Sequence, residues 1–134
     1  MDASNSLQQE TDTNIEKTLN KVNQKYLTRK LANDLKENIN EIGIQERNYI
    51  INLANSEMQS QYADSTLAAF ETAKITAAEL KNILTHEDEI KAAETVIAQL
   101  ENTEQVFREI HNVELVKDEN KACLLYTSPS PRDS

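Results

Sequence analysis

The chain has 134 residues, room for one domain, and carries 14 Lys and Arg against 23 Asp and Glu, a net charge of −9. That balance argues against a nucleic-acid groove, which needs clustered cations to neutralise phosphates. A single cysteine excludes an internal disulfide, and no apolar run approaches the roughly 20 residues of a membrane span, so the segment reads as soluble and acidic.

Residues 1–122 hold no proline and one glycine, Gly43, among many Glu, Lys, Ala, Leu and Gln residues. Such side chains lose little freedom on entering a helix, so this stretch reads as all-α. In the first helix Ile15, Leu19, Val22 and Tyr26 step by 4, 3 and 4, the spacing of one helix face. A small phase slip near Arg29 and Lys30 precedes Leu35, Ile39, Ile42, Tyr49 and Leu53. These continue a seven-residue repeat with Glu46 on the seam. Gly43, inside the stripe, is expected to mark the close approach of a neighbouring helix rather than a kink.

Asn55-Ser56 makes the first break, and Ser56 with Gln59 fits a capping box. The second helix then carries Ala63, Leu67, Phe70, Ala73, Ala77, Leu80 and Leu84 on one face. THEDE, residues 85–89, makes the second break, with Thr85 and Asp88 in the same cap spacing. Glu87, Asp88 and Glu89 then sit at the positive end of the third helix's dipole. That helix presents Ile90, Ala93, Ile97, Leu100, Phe107 and Ile110 and runs on toward Ala122. Two short connections between long amphipathic helices predict an antiparallel up-and-down bundle of three long helices. The first helix is the longer partner, so its N-terminal part overhangs the second and leaves the bundle open on one side.

The run ERNYII, residues 46–51, resembles the Glu-Lys-Asp-Phe-Leu-Leu motif of bacterial methyl-accepting chemotaxis receptors. That motif lies near the end of the first long helix in their four-helix and helical-bimodular ligand-binding regions. Residues 78–110, AELKNILTHEDEIKAAETVIAQLENTEQVFREI, resemble the second hairpin of the same regions, where a capped acidic turn precedes a helix ending in an aromatic, here Phe107. The resemblance implies a fragment of a four-helix-type sensor bundle on the periplasmic or extracellular side of a bacterial inner membrane. It implies membrane attachment only through flanking segments, and a homodimer in the full-length receptor. A small molecule, such as an organic acid, would bind between helices, and a small helix shift would carry the signal to a cytoplasmic module.

Cys123 to Asp133 reads CLLYTSPSPRD and resembles, residue for residue, a translated sequencing-library adapter. The chain accordingly divides into a helical sensor-domain fragment, 1–122, and an adapter-derived disordered tail, 123–134. The natural protein is then expected to continue past Ala122.

The sequence offers no catalytic, metal or cofactor motif. One glycine cannot build a phosphate loop, and His86 and His111 lack the i, i+4 partner of a helical metal pair. A carboxylate ligand asks for a planar bidentate donor, which Arg supplies and Lys does not. Arg47, flanked by Asn48 and Tyr49, is the first candidate; Arg29 and Lys30, at the phase slip, are the second. A structural coiled-coil or interaction protein, and the same sensor joined to a histidine kinase, are the alternative readings.

Overall fold

The computed structural model describes the backbone of residues 2–127 and the side chains of residues 6–117. It consists of three helices, α1 (Asp2–Ile51), α2 (Ser56–Ile83) and α3 (Glu87–Thr127), with no strand among the described residues. The 50 residues of α1 span about 75 Å and the 28 of α2 about 42 Å, at 1.5 Å per residue. No described helix is long and apolar enough to cross a membrane.

The two breaks fall where the sequence places them, with different chemistry at the caps. Asn55, not Ser56, is the N-cap of α2: its backbone is extended and its side-chain oxygen accepts from the Met58 N–H at 3.1 Å. An Asn side chain reaches this orphan donor from one residue earlier, which frees Gln59 from the cap. Gln59 turns inward instead and is 1% exposed. At the other break, α2 stops when Leu84 becomes extended, and α3 begins at Glu87 with the His86 carbonyl accepting from the Ile90 N–H. The first turn is therefore set by His86 rather than Thr85. Helical backbone continues to Thr127, past Cys123, because Cys123 to Thr127 contains no residue that breaks a helix. Residues 128–134, the rest of the tail, lie outside the described residues.

Contacts between neighbouring helices run in opposite order along the chain. Gln24 meets Ile83, Asn38 meets Thr76, and Tyr49 meets Gln59 across α1 and α2. Lys74 meets Glu104 and Lys81 meets Glu94 across α2 and α3. Leu35, Ile42 and Tyr49, spaced by seven, enter the core from α1, while Leu100 and Phe107 enter from α3. Between them α2 buries mainly small side chains, Ala63, Ala69, Ala73 and Ala77, around Phe70, with Tyr62, Leu67 and Leu80 packed against them partly buried. Nowhere do the backbones of α1 and α3 come within 8 Å of each other among the described residues. α2 therefore lies between its neighbours, and the outer helices meet through the side chains of Tyr49, Phe107 and His111.

α1 departs from the expected single stripe. Ile15, Leu19, Val22 and Tyr26 are 52–62% exposed, whereas Leu35, Ile42 and Tyr49 are buried. Leu35 follows Tyr26 by nine residues, which at 3.6 residues per turn is about half a revolution. The slip near Arg29 and Lys30 is thus a change of face, and the first stripe points away from α2. Ile39 and Leu53, expected on the seam, stand at its edge at 42% and 37% exposure.

Gly43 also differs from expectation. It has an ordinary helical conformation, and an added Cβ would meet only the Arg47 guanidinium, at 4.0 Å. No neighbouring helix approaches there. Gly43→Ala should therefore stabilise the chain by about 0.5–1 kcal/mol, the usual helix-interior difference. Urea denaturation followed by circular dichroism checks this; a loss of stability would mean that backbone approach matters at this position.

Candidate functional site

The two ends of the bundle carry different chemistry. At the α1–α2 turn, Tyr49 is 2% exposed and its ring meets Phe107 edge-on, with centroids 5.0 Å apart. The Tyr49 hydroxyl receives the Gln59 Nε2–H at 3.3 Å and pairs with His111 Nδ1 at 2.9 Å. One buried phenol therefore joins all three helices. The Gln59 contact is buried and costly to lose, because no water replaces the missing partner there. Nearby Glu46 is half-buried, and that desolvation raises its carboxyl above the usual range.

Along the shaft, charges are matched across α2 and α3. Lys74 Nζ lies 2.7 Å from Glu104 Oε1 and 3.3 Å from Glu71, and Arg108 reaches the other Glu104 oxygen at 3.4 Å. The hydrogen bond that Lys74 donates to Glu104, outweighing desolvation, raises the Lys74 amine above its ordinary value. Glu104, 7% exposed, is tolerable in the interior because two cations compensate it.

The opposite end, at the α2–α3 turn, holds a cleft of about 580 Å³. Lys21, Gln24, Lys25, Thr28 and Arg29 of α1 form one wall; Ile83, Leu84, Thr85, His86 and Glu89 form the other. Gln24 Nε2 donates to the Ile83 carbonyl at 2.8 Å and the Thr28 hydroxyl donates to the Gln24 carbonyl at 2.8 Å, which fixes the floor. Lys17, Lys21, Lys25 and Arg29 follow one another at i, i+4. Like charges at that spacing oppose helix formation by about 0.2–0.5 kcal/mol per pair.

Ion pairing separates the cations of α1 from those of the α2–α3 hairpin. Among the described residues, every cation of α2 and α3 has a carboxylate within 4 Å: Lys74, Lys81, Lys91, Arg108 and Lys117. On α1 only Lys30 does, with Asp34 at 3.2 Å. Lys21, Lys25 and Arg29 have no ion pair among the described residues, although the chain holds nine more acids than bases.

The residues chosen from sequence do not form one site. Arg47 is exposed, with its Nε–H donating to the Gly43 carbonyl at 3.3 Å, and Asn48 offers its carbonyl to the Asn52 side chain at 2.7 Å. Tyr49 points into the core, since successive helical residues diverge by about 100°. Arg29 lines the cleft, about 27 Å along α1 from Arg47. Lys30, its neighbour, lines a separate groove with Leu27, Leu31 and Glu79. Sequence reasoning missed Lys21, Lys25 and His86. The four-residue spacing of the cations was a visible signal for the first two; nothing local signals His86.

Against this geometry, comparison with known proteins adds no assignment: no family model, curated protein or solved structure significantly matches the chain.

Proposed function

We propose that the chain is a ligand-sensing helical segment of a bacterial transmembrane chemoreceptor, which binds a small organic acid and carries out no chemistry on it. Binding shifts α1 against the α2–α3 hairpin, and the long helices carry that shift to a signalling module elsewhere in the protein. The observation that supports this most is the cleft shared between α1 and the α2–α3 turn. A ligand held by both walls has different contacts in each packing of the two, and such a difference is what moves a two-state equilibrium. The resemblance of residues 46–51 and 78–110 to chemoreceptor sensors supports the receptor context.

The test is long-range. The Tyr49–His111 contact lies about 36 Å along α1 from Lys25, beyond direct reach of anything in the cleft. Citrate added to the chain should move the His111 imidazole resonances in NMR spectra and change the hydrogen-exchange protection of Tyr49. Saturable binding that leaves both unchanged would refute transmission through α1.

A structural coiled-coil role is the second reading. It is favoured by the exposed stripe Ile15, Leu19, Val22 and Tyr26, which has the spacing of a helix-pairing seam.

A further inference from the structure

We infer that the cleft at the α2–α3 turn selects small oxyanions carrying two or more negative charges, held by Lys21, Lys25 and Arg29. The inference deepens the ligand-sensing reading and rests on it for the claim that the cleft is a ligand site. Three observations carry it. The first is convergence: three cations from successive turns of α1 line one wall of a single cleft. The second is their pairing state. In a chain of net charge −9 all the described cations on α2 and α3 have a carboxylate partner. These three, like Lys17, Lys36 and Arg47 elsewhere on α1, have none among the described residues, and of these six only Lys21, Lys25 and Arg29 line this cleft. No carboxylate of the described residues pairs with any of these three, so an anion that bridges them gains attraction to each.

The third observation is the opposite wall. Glu89 is its only carboxylate, and the Glu89 Oε1 lies 3.9 Å from His86 Nε2 at the rim. Counting Lys21, Lys25 and Arg29 against Glu89, the lining is net +2, and a monoanion leaves part of that charge uncompensated. Arg29 supplies the planar fork that takes a carboxylate or phosphate oxygen pair, while the two lysines act as movable point charges. The Thr85 hydroxyl and the His86 ring, on the far wall, offer polar partners to the ligand's other end. A volume of about 580 Å³ accommodates a di- or tricarboxylate or a small phosphate ester.

The experiment uses the 134-residue chain with citrate, succinate and acetate as probes at constant ionic strength, by calorimetric titration and NMR. Citrate should bind most tightly, succinate less, and acetate without saturation. Lys25→Ala and Arg29→Ala should each weaken citrate about tenfold, the loss of one charge-assisted contact. Lys36→Ala, which removes an unpaired α1 cation outside the cleft, should leave citrate affinity unchanged. All variants change exposed side chains, and their helicity should match the parent by circular dichroism. Equal affinity for citrate and acetate, no saturable binding of any probe, or an effect of Arg47→Ala as large as that of Arg29→Ala would overturn the inference. If citrate binds in the expected order while His111 stays unmoved, the anion site stands and the signalling reading falls.

Discussion

Phe70→Ala should lower the unfolding free energy by about 3–5 kcal/mol, the usual cost of emptying an aromatic site in a packed core. Phe70 is 0% exposed and lies 6.4 Å, centroid to centroid, from Phe107. Its neighbours on α2 are Ala63, Ala69, Ala73 and Ala77, and short side chains on a rigid helix cannot close over the space left behind. Domains of this size have about 5–15 kcal/mol of total stability, so the variant should be partly unfolded well before the parent in urea. Val106→Ala, at a 46% exposed position of α3, makes the comparison: it should stay within about 0.5 kcal/mol. Equal effects at the two positions would mean that Phe70 is not the centre of the core.

Tyr49→Phe should cost about 1–3 kcal/mol although it removes a single oxygen atom. The loss strands the Gln59 amide, 1% exposed, and takes the phenol away from His111 Nδ1. Transfer of the penalty to Gln59 is the distinctive part of the prediction. The double variant Tyr49→Phe/Gln59→Leu, with both groups apolar, should recover a substantial share of the stability lost in the single variant, because no unsatisfied amide then remains. Chemical denaturation of the wild type, both single variants and the double variant completes the cycle. Strict additivity would show that the two side chains are not energetically coupled.

The parts of the architecture that sequence made legible are those that depend on spacing within one helix. Phe70 and Phe107 stand on recognisable stripes of their helices, and both are buried in the core. The breaks at Asn55 and near Thr85 were visible because cap residues and chain direction are local matters. The change of face in α1 is present in the nine-residue step from Tyr26 to Leu35, but two stripes that both have helical spacing do not say which of them α2 covers. Gln59 was hidden for a related reason: a polar residue four positions after a cap-forming Asn looks like part of the cap until the Tyr49 hydroxyl is found beside it. Of the cations lining the cleft, Arg29 was among the candidates chosen from sequence, and Lys21 and Lys25 were not. Their spacing was in view, but their lack of carboxylate partners depends on where α2 turns into α3. Arg47 was chosen because of its neighbours in sequence, and on a helix those neighbours point elsewhere.

The pin at Tyr49 also turns α1 into a lever. Direct contact between the outer helices is concentrated at that aromatic end, while α1 is tied to α2 further along by the Gln24–Ile83 and Asn38–Thr76 hydrogen bonds. Measured along α1 from the fulcrum at Tyr49, Lys25 is about 36 Å away and Asp2 about 70 Å away. A tilt that displaces the cleft wall by 1 Å therefore displaces the far end of the helix by roughly 2 Å, if α1 moves as a rod. Its 50 unbroken residues, with no proline and no departure from helical geometry at Gly43, are what give the rod its stiffness.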